Sequence, residues 1–101
     1  MRSLSTVRLK ENSALARIAA WKLNAGSVAL VLGKTIHLYN VSKKEFLQHD
    51  KWVRHELKHI EQFERYGTIK FLLMYLLEWF RNGYTNNRFE KEAREAETSL
   101  E

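Results

Sequence analysis

Residues 50–67, DKWVRHELKHIEQFERYG, decide the fold, because their pattern predicts one amphipathic helix. Gly67 is the natural end of that helix, since glycine adopts the backbone conformations that close a helix. Two starts are compatible with the sequence: Asp50, or the capping-box segment Ser42-Lys43-Lys44-Glu45. The side chains at helical spacing define one side of the helix, which consists of Trp52, His55, Glu56, His59, Gln62, Phe63 and Tyr66.

Two histidines lie one turn apart in this helix, in the pattern His55-Glu56-Leu57-Lys58-His59. Because an α-helix repeats about every 3.6 residues, the imidazoles of His55 and His59 can share a single zinc ion. The carboxylate of Glu56 can then deprotonate a water on that metal. Lys58 should point away from it. This HExxH pattern is typical of zinc hydrolases.

The composition limits the class of protein. The chain has 101 residues, 45% of them hydrophobic, which predicts a single folded domain over residues 1–101. It contains no cysteine, so any metal must be held by imidazole and carboxylate groups. The lack of cysteine suits a reducing compartment, and basic residues interrupt every early apolar stretch. We therefore expect a cytoplasmic protein without a secretory signal.

The charge pattern argues against a nucleic-acid partner. The net charge is +5, but the basic residues are dispersed and their longest run is Lys43-Lys44. No arginine-rich arm or aromatic ladder accompanies them. The apolar run 71–77 is too short for a membrane span, which needs about 20 apolar residues. We expect it to form a buried core helix rather than an interfacial membrane contact.

The remaining elements predict an α+β fold. A first helix is expected over residues 13–23, and two strands over 28–32 and 35–39 form a hairpin around Gly33-Lys34. After the histidine-bearing helix, a crossing helix is predicted over residues 69–82, with Gly83 at its end. A polar, glutamate-rich helix over residues 88–100 follows.

A catalytic zinc site needs a third protein ligand, and the sequence offers several. Glu90, Ala93 and Glu97 form one stripe of the last helix, spaced i, i+3, i+7. A small residue in that stripe lets the helix pack closely on the histidine-bearing helix, so that the carboxylate one turn earlier reaches the metal. Glu90 is thus the expected ligand and Glu92 the alternative. Other candidates are His37, His49 and Asp50.

Three segments resemble the gluzincin metallopeptidases, including small DUF4157-like bacterial proteins. They are GKTIHL at 33–38, HELKHIEQ at 55–62, and Tyr84 followed by NRFEKEA at 87–93. In relatives the last segment usually reads Asn-Pro-x-Glu-x-Glu-Ala, so Asn87-Arg88 stands here in place of Asn-Pro. The resemblance covers residues 28–97 and implies a minimal zincin-like domain.

The resemblance also implies roles for individual residues. Zinc would be held by His55, His59 and Glu90, with Glu56 as the general base and Gln62 supporting the site. Many gluzincins orient a histidine with an Asp four residues after the ligand Glu, where this chain has Arg94. We expect Glu97 or Glu92 to take that role. Tyr84, which lies just before Glu90, is our candidate hydroxyl donor to a developing oxyanion.

Two functions follow as hypotheses. The first is a zinc-dependent metallopeptidase acting on a peptide or protein, with strand 35–39 as the cleft edge that pairs with the substrate. The second is a zinc-binding interaction or structural module without catalytic activity. Retention of Glu56 favours the peptidase, because a purely structural metal site needs no base beside it. The small size of the chain favours the module, because little sequence remains for a second cleft wall.

Overall fold

The computed structural model describes residues 7–98, which form five helices and a three-stranded sheet. This confirms the predicted α+β class. In chain order the elements are β1 (Arg8–Lys10), α1 (Ala14–Leu23), β2 (Val28–Leu32), β3 (Thr35–Tyr39), α2 (Lys43–Leu47), α3 (Asp50–Tyr66), α4 (Thr68–Asn82) and α5 (Arg88–Ala96).

The predicted hairpin is present, with Leu32 paired to Thr35 across the turn. Gly33 has a φ of 65°, which favours glycine in this tight turn. The sequence did not predict β1, which pairs in parallel with β3 and makes the strand order β1-β3-β2. As a result β3 has neighbours on both sides, and β2 keeps one edge that no strand within residues 7–98 covers.

The prediction that strand 35–39 forms the edge of a cleft is therefore wrong. That strand is β3, and its main-chain groups face β1 on one side and β2 on the other. The physical reason is a long-range parallel pairing of a three-residue strand, which leaves no local pattern in the sequence. The edge available to a partner next to α3 belongs to β2.

Local signals set the helix boundaries as expected. Ser13 caps α1, Ser42 and Glu45 form a reciprocal capping box on α2, and α3 ends at Gly67. Both possible starts upstream of the histidines are used, because α2 and α3 are separate helices. Helix α5 ends at Ala96, shorter than the predicted 88–100, and residues 99 and 100 lie outside the described part of the chain.

The main core lies between the sheet and α3, and the C-terminal helices complete it. Ile60 is fully buried on α3 and Phe89 nearly so on α5, and both belong to one cluster of apolar side chains. Burial of such side chains contributes about 1.5–3 kcal/mol each. The other buried members are Val31, Ile36, Leu38, Phe46, Val53, Leu57, Phe63 and Phe71.

Helix α4 is present where a buried crossing helix was predicted, but it is not buried. Phe71 is its one buried residue, and the helix packs chiefly on α3 along a single side. The elements within residues 7–98 supply no second layer to cover its outer side. Five apolar side chains there are at least half exposed: Ile69, Leu73, Leu76, Leu77 and Phe80. In the described part of the chain, no helix combines the length and apolar character needed to cross a membrane.

Candidate metal centre

Helices α3 and α5 bring two imidazoles and one carboxylate together. The Nε2 atoms of His55 and His59 lie 3.0 and 3.2 Å from Oε1 of Glu90. Around a tetrahedral zinc, ligand atoms are about 3.4 Å apart, because each lies about 2.1 Å from the metal. Among residues 7–98, these three side chains form the group of imidazole and carboxylate ligands that could hold a metal ion. Their ligand atoms all lie within 4.8 Å of one another, close enough to share one metal ion.

The start of α5 positions Glu90. Asn87 is fully buried, and its side-chain oxygen accepts a hydrogen bond from the Phe89 N–H at 2.9 Å, which caps the helix. The Asn87 amide donates to the carbonyl of Tyr75 on α4. Arg88, where the gluzincin pattern has proline, donates its backbone N–H to Oε1 of Glu78. The Asn-Arg sequence therefore starts the helix with all of these groups paired.

A close approach between α5 and α3 makes the contact possible. Ala93, one turn after Glu90, is completely buried. A larger side chain there would separate the helices. The small residue predicted in the stripe of Glu90, Ala93 and Glu97 therefore allows the close packing. Lys58 points away from the site and forms an ion pair with Glu61, 3.2 Å away. The predicted close packing at Ala93 and the predicted direction of Lys58 are both confirmed.

Gln62 determines the tautomer of His59. Its amide nitrogen donates to the carbonyl of Phe89 at 3.1 Å and to Oε1 of Glu92 at 2.8 Å. Both partners are acceptors, so the amide oxygen must face Nδ1 of His59, 2.9 Å away. Nδ1 of His59 therefore carries a proton and donates it. In a neutral imidazole, this leaves a lone pair on Nε2.

Glu97 does the same for His55. Oε2 of Glu97 lies 2.8 Å from Nδ1 of His55, and a carboxylate in this position accepts the Nδ1 proton. The Nε2 lone pair of His55 is then directed at Glu90, like that of His59. Of the two acids expected to orient a histidine, Glu97 contacts an imidazole directly. Glu92 acts on His59 only through Gln62.

Two imidazole nitrogens and one carboxylate oxygen therefore face one another with their lone pairs. A cation between them would relieve the repulsion. In the metal-free protein a proton on an imidazole can serve as that cation. Burial alone would lower the pKa of His55, but its hydrogen bonds to Glu90 and Glu97 outweigh that effect and raise it. The pKa of His59 is also raised, against the effect of burial, by Glu90. Burial opposes ionisation of Glu90 too, yet the two histidines hold its pKa well below the ordinary value.

Glu56 stands beside this group with its carboxyl buried. Burial raises the pKa of Glu56 to about 8, and the negative charges of Glu90 and Glu97 act in the same direction against the opposing effect of His59. Its side chain lines the same cavities as His55. A group whose pKa lies near neutrality is suited to accept and release a proton.

Two tyrosines lie beside the group in different ways. Tyr84, the predicted hydroxyl donor, lines the same cavities as His55 and Glu56, and burial together with the charge of Glu90 raises its pKa to about 12. It therefore keeps its proton. The sequence did not predict a role for Tyr75 on α4, whose hydroxyl donates a hydrogen bond to Oε2 of Glu90. Helical spacing places Tyr75 one turn after Phe71, but it cannot reveal a contact with α5.

The site opens into a cleft along β2. Two cavities of about 850 and 190 Å³ share several lining residues: Leu23, Val28, Ala29, His55, Glu56 and Tyr84. In a two-residue hairpin the closing pair, Leu32 and Thr35, is hydrogen-bonded, and bonded pairs then alternate along the strands. The main-chain groups of Ala29 and Val31 consequently point to the free edge of β2.

The other candidate ligands lie apart from the two imidazoles. Glu92 is exposed and bonds to Gln62, so the structure brings Glu90 and not Glu92 to the histidines. Nδ1 of His37 is 2.8 Å from the hydroxyl of Ser13 at the start of α1. His49 and Asp50 line the wall of the larger cavity without joining the ligand group.

Comparison with known proteins adds no relative to this geometry. No family model matches the chain, and neither a curated protein nor a solved structure matches it. The gluzincin resemblance rests on the three sequence segments described above. Function must therefore be argued from the site.

Proposed function

We propose that this protein is a zinc-dependent peptidase in which His55, His59 and Glu90 hold the metal and Glu56 is the general base. The observation that supports it most directly is the convergence of both Nε2 atoms on Oε1 of Glu90. Gln62 and Glu97 hold the Nδ1 protons, so each histidine offers a lone pair at that point. Hydrogen-bond acceptors that fix ligand histidines in this way, most often carboxylates, are typical of zinc sites.

The donor set fits a catalytic metal rather than a structural one. Structural zinc sites use four protein ligands, whereas catalytic sites use three and keep one position for water or substrate. Residues 7–98 supply three here, next to an open cleft. When bound, zinc would supply a Lewis acid that activates water and polarises the scissile carbonyl.

Glu56 moves the proton in this proposal. Its carboxylate takes a proton from the attacking water as the new C–O bond forms, and later delivers it to the leaving amine as the C–N bond breaks. Burial favours the neutral acid in the metal-free protein, with a pKa of about 8. A divalent cation nearby would favour the ionised form, which is the form that accepts a proton.

The free edge of β2 is the surface suited to an extended peptide. Ala29 and Val31 present main-chain groups there that no strand of the described chain pairs with, and Ala29 lines the cleft beside His55 and Glu56. A peptide added antiparallel to this edge would bond through its main chain and place a carbonyl near the base. The hydroxyl of Tyr84, protonated at neutral pH, can donate to the oxyanion that develops.

Metal analysis and a peptide-library assay test the proposal. We expect one zinc per chain after reconstitution, and cleavage of an unbiased peptide library that chelation abolishes. Glu56→Gln should retain zinc and lose cleavage, because a glutamine cannot accept the proton. Glu61→Gln, a change of the same kind on the exposed part of α3, should retain both.

The possible failures are distinguishable. Zinc bound in a one-to-one ratio without cleavage of any peptide would support the non-catalytic zinc-binding module. Full cleavage by Glu56→Gln would remove Glu56 as the base. A clearly sub-stoichiometric zinc content after reconstitution would contradict both metal-dependent functions.

A further inference from the structure

The outer side of α4 carries an apolar surface that the described chain leaves uncovered. It consists of Ile69, Leu73, Leu76, Leu77 and Phe80, which recur at helical spacing and are each at least half exposed. Phe80 is 89% exposed. Single exposed apolar side chains are common, but a continuous stripe along a helix is characteristic of a binding surface. We call this stripe the α4 face.

Helix α1 carries a smaller surface of the same kind. Ile18 and Trp21 lie one turn apart on its outer side, opposite the buried Ala16 and Ala20, and Trp21 is 81% exposed. We call this pair the α1 face. Both helices flank the smaller cavity of the cleft, through Lys22 and Leu23 of α1 and through Leu72, Tyr75 and Trp79 of α4. The two apolar faces therefore lie on elements that border the same opening.

The charges around both faces are positive. Arg17 and Lys22 flank the α1 face, and α1 contains no acidic residue. Lys70 and Arg81 adjoin the α4 face on one side of the helix. Within residues 7–98, none of these four side chains forms an ion pair. Glu78, the acidic residue of α4, lies on another side of the helix and bonds to Asn82 and to the Arg88 N–H.

This charge pattern disfavours a second copy of the chain as the occupant. If two α4 faces packed antiparallel, Lys70 of one copy would lie near Arg81 of the other. In a parallel arrangement, the cations of the two copies would lie on opposite sides of the contact, where α4 offers no acidic side chain. Like charges in contact cost free energy in the antiparallel pair, and in the parallel pair the cations gain no acidic partner. The surface matches a partner that offers both apolar contact and negative charge.

We propose that the α4 and α1 faces dock this protein on the surface of an anionic lipid bilayer. Large apolar side chains bordered by lysine and arginine are the composition of helices that lie in the membrane interface. Ile69, Leu73, Phe80 and Trp21 enter the boundary between headgroups and acyl chains, and the flanking cations contact the anionic headgroups. The inference does not depend on a bound metal or on peptidase activity.

Vesicle binding tests the inference with the whole chain. The probes are vesicles of phosphatidylcholine alone and of phosphatidylcholine mixed with phosphatidylglycerol. We expect co-sedimentation with the anionic vesicles, weaker in high salt, and a blue shift of tryptophan fluorescence as Trp21 leaves water. The neutral vesicles should bind far less protein.

Variants locate the surface. Lys70→Glu combined with Arg81→Glu should weaken binding at least 25-fold, because each cation near an anionic surface is worth about fivefold in affinity. Lys44→Glu combined with Lys91→Glu changes the net charge equally on α2 and α5 and should have a much smaller effect. Leu73→Ser combined with Phe80→Ser should abolish the blue shift while preserving the fold, since both side chains are exposed. Circular dichroism checks that the double variant keeps the fold. Trp21→Ser, made separately, checks that the blue shift comes from Trp21.

Three results would overturn the inference. One is an absence of binding to the anionic vesicles by the wild-type chain. Another is equal loss of binding in the two charge-reversal pairs, which would indicate an effect of net charge alone. The third is a dimer in solution that Phe80→Ser dissociates, without any vesicle binding, which would assign the α4 face to a second copy.

Discussion

Oε1 of Gln62 accepts a hydrogen bond from Nδ1 of His59 at 2.9 Å, and this contact decides which nitrogen of His59 is available to a metal. The orientation of Gln62 is unambiguous because its amide nitrogen faces two acceptors, the Phe89 carbonyl and the Glu92 carboxylate. Gln62 thus connects α3 to α5 and also leaves the Nε2 lone pair of His59 available to a metal. It is a positioning residue that acts through His59.

We predict that Gln62→Leu lowers zinc affinity about 10- to 100-fold, the usual effect of removing a partner of a ligand histidine. Leucine removes the acceptor for Nδ1 and leaves the Phe89 carbonyl without its donor. Competition with a chromophoric chelator measures the affinity. Gln62→Glu keeps an acceptor for Nδ1 and should retain more affinity than Gln62→Leu. If both variants bind zinc like the wild type, the contact does not support the metal.

A comparison of two neighbouring glutamates identifies the third ligand. Glu90→Ala should reduce zinc affinity more than about 100-fold, because it removes a ligand that contacts the metal directly. Glu92→Ala should reduce it less than about tenfold, because Glu92 reaches the site only through Gln62. Isothermal titration of both variants gives the answer. A larger loss in Glu92→Ala would contradict the arrangement seen between α3 and α5.

The hydroxyl of Tyr75 holds the second oxygen of Glu90, and removing it should weaken the site without damaging the core. We predict that Tyr75→Phe lowers zinc affinity about tenfold. Tyr66→Phe is the matched control, since the Tyr66 ring stacks on Phe71 in the same aromatic cluster and its hydroxyl makes no hydrogen bond within residues 7–98. Equal zinc affinity in both variants would show that the Tyr75 hydroxyl has no part in the site.

The buried carboxyl of Glu56 should reduce the stability of the metal-free protein in alkaline solution. Its pKa rises from an ordinary 4.5 to about 8 on folding, so the folded state binds the proton more tightly. The stability contributed by the neutral acid is complete below pH 4.5 and is lost as the pH rises towards 8. Glu56→Gln should remove this loss and stabilise the metal-free chain at pH 9 by about 1–3 kcal/mol.

Denaturant titrations of metal-free protein across this pH range provide the measurement for Glu56. Because the two histidines are present in both proteins, the difference between wild type and Glu56→Gln isolates the carboxyl. Glu61→Gln, on the exposed part of α3, should leave the pH dependence of unfolding unchanged. A Glu56→Gln variant that is less stable than the wild type at pH 9 would show that the buried carboxylate is favourably solvated or paired.

Much of the site could be predicted because its determinants are local. The spacing of His55 and His59 follows from the helical repeat, and the stripe of Glu90, Ala93 and Glu97 follows from the same repeat in α5. The capping box at Ser42 and the turn at Gly33 are signals of a few residues each. Such features depend on neighbours in the chain, which the sequence displays directly.

Other features depend on which segments meet. Nothing in residues 8–10 indicates that they pair with β3, yet that pairing covers the second side of β3 and leaves β1 and β2 as the edge strands. The apolar residues of α4 looked like a buried helix, because apolar composition alone does not show whether a second layer exists to cover them. The contact of Tyr75 with Glu90 joins two helices whose packing no local pattern determines.

By itself, then, the sequence determined the helix that carries His55, Glu56 and His59 and the acid-bearing helix that would complete their ligand set. Local hydrogen bonding and the helical period are sufficient for that. Only the tertiary structure decided that Glu90, rather than Glu92, meets the imidazoles, that β2 and not β3 is an edge strand, and that α4 leaves its apolar face exposed. Those outcomes follow from long-range packing, in which the close contact at Ala93 and the parallel pairing of β1 set the positions of distant segments.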